Sequence, residues 1–334
     1  MIEARLYERL EGGAVRCNLC QHRCRIARGG HGICMVRKNV DGVLQSLVYG
    51  KAIAGRADPI EKKPLFHFLP GSLSWSFATV GCNFTCVFCQ NADIAQMPRD
   101  YGRIAGNEIS PRDIVERAVE SGCRSISYTY TEPTVFYEYA EDTALEARAA
   151  GLKNVFVTNG YMTPEAVEAM SNWLDAANVD LKAFSREFYK TYSGADLDKV
   201  MESISALHHA GIRLEITTLL IPTLNDDEPS LWELAGFIAA LSPDIPWHIS
   251  RFHPAYHLTR VPPTPLATMK KAQAIGREAG LRYIYLGNVP GEDEDTICPE
   301  CGTVLIRRYG FEVLENAMRE GRCPSCKSVI PIIL

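Results

Sequence analysis

No run of 18 consecutive apolar residues occurs anywhere in the 334-residue chain, so no segment has the length of a membrane-spanning helix. The opening stretch, MIEARLYERLEGGAV, also lacks the basic-then-apolar pattern of a secretory leader. A cytoplasmic setting, with no membrane partner, is the expectation. An excess of positive charge is missing too. The 35 Lys and Arg are outnumbered by 40 Asp and Glu, for a net charge of −5, so no global field recruits nucleic acid or an anionic membrane. Arg307, Arg308, Arg319, Arg322 and Lys327 nevertheless make the tail locally basic. Solenoid repeats and low-complexity tracts are absent, and 46% hydrophobic with 22% charged residues excludes disorder as the main state. The length fits one large domain with an appendage, or two modest domains.

Cysteine is plentiful. Of the 12 cysteines, all but Cys123 fall into three groups: Cys17, Cys20, Cys24 and Cys34; then Cys82, Cys86 and Cys89; then Cys298, Cys301, Cys323 and Cys326. Such bunching points to metal ligation rather than disulfides, because close-spaced thiolates bind zinc or iron–sulfur clusters and a reducing compartment keeps them available. Cys123, alone at the head of a strand-like run, reads as a small buried hydrophobe.

Between the second and third groups, β-branched and aromatic runs alternate with helical segments, the pattern of a parallel sheet. Strands are predicted at Trp75–Val80, Arg124–Tyr130, Asn154–Val157, Ala177–Leu181, Arg213–Leu220, Trp247–Arg251 and Tyr283–Leu286, one short of an eight-fold barrel. Ser110-Pro111 and Thr163-Pro164 each place a capping hydroxyl before a proline at the first helical position, and Ile114, Val115, Ala118 and Val119 form an apolar stripe for packing on the sheet. The spacing divides the chain into a cysteine-rich N-terminal domain (1–72), a barrel (73–290) and a small C-terminal module (291–334).

Cys82-Asn-Phe-Thr-Cys86-Val-Phe-Cys89 follows directly on the first of these strands. Three thiolates on one tight loop suit three irons of a four-iron cubane and leave the fourth iron open to an exogenous ligand. The end of a barrel strand is where α/β barrels carry their chemistry. This motif, with Phe88 at its aromatic position, resembles the radical S-adenosylmethionine (SAM) superfamily. That resemblance implies a partial (β/α)6-type TIM-like barrel of the α/β class, a [4Fe–4S] cluster on Cys82, Cys86 and Cys89, and SAM bound to the open iron through its amino and carboxylate groups. One electron then cleaves SAM to methionine and a 5′-deoxyadenosyl radical, which abstracts hydrogen from a substrate. An electron donor such as flavodoxin or ferredoxin is implied.

Other contacts carry over position by position. Glu132, in Tyr130-Thr131-Glu132-Pro133, stands where the family has Gly-Gly-Glu and implies a contact to the SAM amino group. Thr158-Asn159-Gly160 and Asp180-Leu181-Lys182 resemble segments of the pyruvate formate-lyase activating enzymes. On that likeness Asn159 binds the cofactor, Asp180 accepts from ribose hydroxyls and Lys182 pairs with the SAM carboxylate, although a plain Asp180–Lys182 ion pair would explain the same spacing. His253, in Arg251-Phe252-His253-Pro254, resembles a strand-end histidine of those activases and reads as a SAM or substrate contact. Asp58–Phe68, Gly81–Asn91 and Tyr285–Asn288 together resemble the radical SAM enzymes of the AmmeMemoRadiSam system, which implies Amme-type and Memo-type protein partners. Lys62 and Lys63 lie in this resemblance without a role of their own.

The outer groups differ. Cys298-Pro-Glu-Cys301 and Cys323-Pro-Ser-Cys326 are paired hooks for a closed structural Zn2+ site, with a rubredoxin-like iron as the alternative. Cys17-x2-Cys20-x3-Cys24-x9-Cys34, with His22 and His31 inside it, can close zinc or a second iron–sulfur cluster. Zinc is favoured, because so small a segment needs a metal to order it. The leading functional expectation is a radical SAM oxidoreductase that activates a partner protein as the glycyl-radical activases do. Modification of a small molecule or peptide beside Amme-type and Memo-type proteins is the runner-up. A zinc-ribbon binding module on an inactive barrel is the reading from a different class.

Overall fold

The computed structural model describes residues 1–334. Its centre is an eight-stranded sheet whose strands lie in chain order: β1 (Ala54–Pro59), β2 (Leu73–Ala78), β3 (Ser125–Tyr128), β4 (Lys153–Thr158), β5 (Ala176–Asp180), β6 (Arg213–Leu220), β7 (Trp247–Arg251) and β8 (Ile284–Gly287). From β2 to β8 every neighbour is parallel. Each step therefore needs a crossover, and six helices supply them: α1 (Pro111–Glu120), α2 (Tyr137–Ala149), α3 (Pro164–Met170), α4 (Leu197–His209), α5 (Glu228–Leu241) and α6 (Leu266–Glu278). The α/β class and the run of (β/α) units match the sequence reading. β1 and β8 are the two ends of the sheet and do not pair, so it stays open on one side.

Local chemistry sets the helix starts. Ser110 accepts from the Asp113 amide while Asp113 reaches back to the Ser110 amide, a reciprocal cap. Thr163 likewise accepts from the Ala166 amide. On α1, Ile114, Val115 and Ala118 are buried against the sheet, whereas Val119 is exposed, because the buried arc of this ten-residue helix stops at Ala118.

One strand escaped the sequence reading. Ala54–Pro59, assigned there to the N-terminal domain, is part of the central sheet and pairs antiparallel with β2 along its whole length, from Ala54↔Ala78 to Pro59↔Leu73. Its sequence, Ala-Gly-Arg-Ala-Asp-Pro, has no β-branched or aromatic residue, so the main-chain ladder holds it without a side-chain signal. The rest of the N-terminal region holds two three-stranded antiparallel sheets and the strand Lys51–Ala52, which pairs with Asn107–Glu108, and it is fastened to α2 by the buried Arg37–Glu138 ion pair, Nη2 to Oε2 at 2.6 Å.

The C-terminal module is a three-stranded antiparallel sheet (Thr296–Ile297, Val304–Tyr309 and Glu312–Asn316). Buried Arg308 anchors it to the segment after β1. The guanidinium donates to the Phe66 carbonyl at 2.9 Å and to Thr296 Oγ1 at 2.7 Å, lies over the Phe66 ring and faces buried Glu61. His67 adds a bond to the Tyr285 hydroxyl at 2.7 Å. Glu61, Phe66 and His67 therefore do structural work within the Asp58–Phe68 stretch. No helix is long and apolar enough to cross a membrane.

Candidate active site

Side chains from β1, from β4 to β7 and from the segments after β2, β3, β5 and β8 face one cavity of about 490 Å3, within the range of small-molecule sites. Cys82, Cys86 and Cys89 all line it. Their loop is held from several sides. The Thr85 and Val87 amides donate to the carbonyls of Ser193 and Tyr192, at 2.9 and 3.0 Å, in a single π-helical turn, Tyr189–Ser193. Gln96 Nε2 donates to the Phe84 carbonyl at 3.0 Å, and His22 Nε2 donates to the Asn83 carbonyl at 2.9 Å. Phe88 is buried and packs on Phe188. Burial pushes the Cys89 thiol up to about 11, with the neighbouring Cys86 adding to the shift. Ligation by a cation is what makes such thiolates favourable.

Glu132, Asn159, Asp180 and Lys182 line the same cavity. Glu132 is buried and heavily bonded: Oε1 accepts from the Thr134 amide, the Thr134 hydroxyl and the Thr158 hydroxyl, and Oε2 from the Asn159 amide at 2.8 Å. The chain reaches this point through Tyr130 at φ +64°, the left-handed conformation that a glycine adopts without steric cost. Tyr130 thus takes, at some strain, the backbone turn for which the resembling families use glycine. Asn159 Nδ2 donates to Asn83 Oδ1 at 2.7 Å. Lys182 Nζ donates to Asp180 Oδ2 at 2.9 Å. Burial works against the Lys182 charge, but the adjacent Asp180 carboxylate outweighs it and holds the ammonium above its ordinary value.

The donor set fits the group that the cysteine spacing implies. Three thiols share the cavity with two buried polar atoms that have no partner, Asn159 Oδ1 and Thr217 Oγ1. A wall of this kind suits a polar ligand, since unpaired buried groups are costly. The pattern that defines the Radical SAM superfamily matches residues 77–235, from the end of β2 into α5.

Residues 77–235 of the chain form a radical SAM domain. This radical SAM protein is 44% identical over its whole length to the whole of "Uncharacterized protein MJ0808" of Methanocaldococcus jannaschii. It is 19% identical to the pyruvate formate-lyase 1-activating enzyme of Escherichia coli, over 61% of this chain and 89% of that one. It is 27% identical to the GTP 3′,8-cyclase of Stenotrophomonas maltophilia, over 46% of this chain and 48% of that one, so it spans less than half of the cyclase. Among solved structures, Streptococcus suis SuiB bound to S-adenosylmethionine shares the fold, with a TM-score of 0.50 and 15% identity over 63% of this chain and 49% of that one. The superfamily relatives are enzymes, and so is this protein; the domain implies a [4Fe–4S] cluster and SAM.

One expected site residue lies elsewhere. His253 is exposed and does not line the cavity. After β7 the buried Phe252 amide donates to Thr264 Oγ1 at 2.9 Å, and the next side chain points outward. Ser250, on β7, faces the cavity instead. The structure also adds residues that the sequence reading left without a role. Arg56, Lys62 and Lys63 line the cavity near the open edge, together with Tyr130, Asn288 and Phe311 of the C-terminal module. Asp58 accepts from Lys62 at 3.0 Å, from Lys63 at 2.8 Å and from the Tyr130 hydroxyl. Burial would raise the Asp58 carboxyl, but the bonds from Lys63 and Tyr130 outweigh it and hold it below the ordinary range. Burial also lowers Lys63 to about 8. The pairing of Lys62 and Lys63 in the sequence was the available signal, but it could not say what they faced.

At the C-terminus the four thiols converge: all four Sγ atoms lie within 4.8 Å of one another and could hold a metal ion. The pairs Cys298–Cys326 and Cys301–Cys323 stand 3.6 Å apart. Ser328 Oγ bridges Cys298 and Cys326, and Thr303 Oγ1 meets Cys301 at 3.2 Å.

Proposed function

We propose that Cys82, Cys86 and Cys89 bind the [4Fe–4S] cluster and that the protein abstracts hydrogen from an anionic substrate that enters through the open edge of the sheet. When bound, the cluster supplies one electron to the sulfonium of SAM, releasing methionine and a 5′-deoxyadenosyl radical. Asn159 Oδ1 and the Thr217 hydroxyl, both unpartnered, face polar groups of SAM. Lys182 offers its ammonium to the SAM carboxylate and Asp180 keeps that charge in place. Glu132 pins the Asn159 backbone and keeps one lone pair on Oε2 for the SAM amino group.

The single observation that carries the reading is the convergence of the three cysteines with Asn159, Asp180 and Lys182 on one cavity. The substrate class rests on Arg56, Lys62 and Lys63 at its edge, three cations against one carboxylate, Asp58. A glycyl-radical activase role draws support from the likeness to the E. coli activating enzyme across most of that enzyme. Modification of a small molecule or peptide beside Amme-type and Memo-type proteins is the second reading, with Phe311 of the C-terminal module in the cavity wall. Zinc in the C-terminal tetrad is part of the proposal, because tetrahedral ligation at about 2.3 Å puts sulfurs about 3.8 Å apart, close to the observed pairs.

The test is anaerobic. Reduced, iron-reconstituted protein is incubated with SAM and assayed for 5′-deoxyadenosine by mass spectrometry, beside Cys86→Ala. Product from the wild type alone supports the reading. No product from protein with an assembled, reduced cluster ends it and favours the binding-module reading.

A further inference from the structure

The three cysteine groups differ in how tightly their sulfurs gather, and that difference separates their metals. The C-terminal four are the one set of three or more His, Cys, Asp or Glu side chains whose donor atoms all lie within 4.8 Å of each other. Cys17, Cys20, Cys24 and Cys34 do not contract in this way. They line a common pocket wide enough for the centre of a water-sized sphere to range over about 10 Å3 between them. Four thiolates at about 2.3 Å from one zinc leave no such space, because the sulfurs' own radii take up most of that distance. A cubane holds its four thiolates on four separate irons and so needs them spread apart.

A second observation points to an anionic metal–sulfur centre in this pocket. Arg37 lines this space and is 1% exposed. Its Nη2 is spent on Glu138, but Nε and Nη1 have no partner. A buried guanidinium with two free N–H donors beside four thiols lacks an acceptor that a sulfur-rich anionic cluster provides.

We propose that Cys17, Cys20, Cys24 and Cys34 bind a second [4Fe–4S] cluster, closed by four thiolates and bonded by Arg37, rather than the zinc that the sequence spacing favoured. It lies against the catalytic loop. Gly81, next to Cys82, has φ +103°, and a Cβ there would stand 2.5 Å from Val36 Cγ1 and 3.3 Å from the Cys34 carbonyl. His22, between Cys20 and Cys24, bonds the Asn83 carbonyl on that loop. Only a glycine lets the two cysteine loops approach this closely.

The experiment counts iron, sulfide and zinc in full-length protein purified and reconstituted without oxygen, and records electron paramagnetic resonance after dithionite reduction. Three variants accompany the wild type: Cys82→Ala/Cys86→Ala/Cys89→Ala, Cys17→Ala/Cys20→Ala and Cys298→Ala/Cys301→Ala. The expected wild type holds about eight irons and about one zinc per chain. The Cys82/Cys86/Cys89 variant keeps about half of that iron, with a reduced-cluster signal that SAM leaves unchanged. The Cys17/Cys20 variant also keeps about half, with a signal that SAM alters, and the Cys298/Cys301 variant loses only zinc. About four irons and two zincs in the wild type, or no iron in the Cys82/Cys86/Cys89 variant, overturns the proposal. Those two measurements decide it even if the Cys17/Cys20 variant does not fold. SAM sensitivity tests the catalytic cluster separately, so the two readings can fail independently.

Discussion

Glu132 accepts the Asn159 backbone N–H on Oε2 at 2.8 Å, while its other oxygen takes the Thr134 amide and the hydroxyls of Thr134 and Thr158. The carboxylate ties the end of β3 to the end of β4, and Asn159 in turn bonds Asn83 in the Cys82–Cys89 loop. One side chain therefore sets the spacing between two strand ends and the cysteines. Glu132→Gln turns an N–H group toward these donors and is expected to cost about 1–3 kcal/mol of stability. SAM affinity should fall with it. Thermal unfolding and SAM titration measure the two effects, and an unchanged melting temperature would show that the network is not a support.

Lys63 is the source of a pH dependence. Burial lowers it from 10.5 to about 8, so across that interval the unfolded chain binds more protons than the folded one. Unfolding free energy then rises with pH through this window, because the folded state no longer carries a buried ammonium. Lys63→Met should remove this contribution. Denaturant titrations of both proteins across the window check it, and parallel pH profiles would refute it.

Catalysis should show the opposite trend. Above a pH of about 8 Lys63 loses its charge, and recognition of an anionic substrate weakens. With a substrate in hand, kcat/KM should fall through this range, and Lys63→Arg should retain the rate at higher pH.

Arg308 joins the C-terminal module to the barrel. Arg308→Met leaves Glu61 buried without its cation, and the loss of one partner from a buried pair costs about 3–5 kcal/mol. Denaturant unfolding should show a lower midpoint. Limited proteolysis should cut after residue 290 faster than in the wild type.

His253, exposed beyond β7, should be dispensable for SAM cleavage. His253→Ala is expected to stay within about twofold of the wild type in 5′-deoxyadenosine yield. A loss of tenfold would place it at the site after all.

The sequence by itself determined the chemistry and the class of fold. Thiolate spacing in Cys82–Cys89 is local, and so are the apolar runs of the strands and the Ser110 and Thr163 caps, because each depends on residues within a turn or a strand of one another. The Asp180–Lys182 ion pair was legible for the same reason. Tertiary structure decided whatever depends on distant segments meeting. It brought Ala54–Pro59 into the central sheet through main-chain pairing that leaves no side-chain pattern. It turned Lys62 and Lys63 toward the cavity while Glu61, Phe66 and His67, their close neighbours, were committed to the C-terminal module. It moved His253 out, since a likeness in sequence does not fix where the chain bends after β7. It also set the separation of the sulfurs. The order of cysteines along a chain states how many ligands there are, but only the packed backbone around them fixes how far apart they stand.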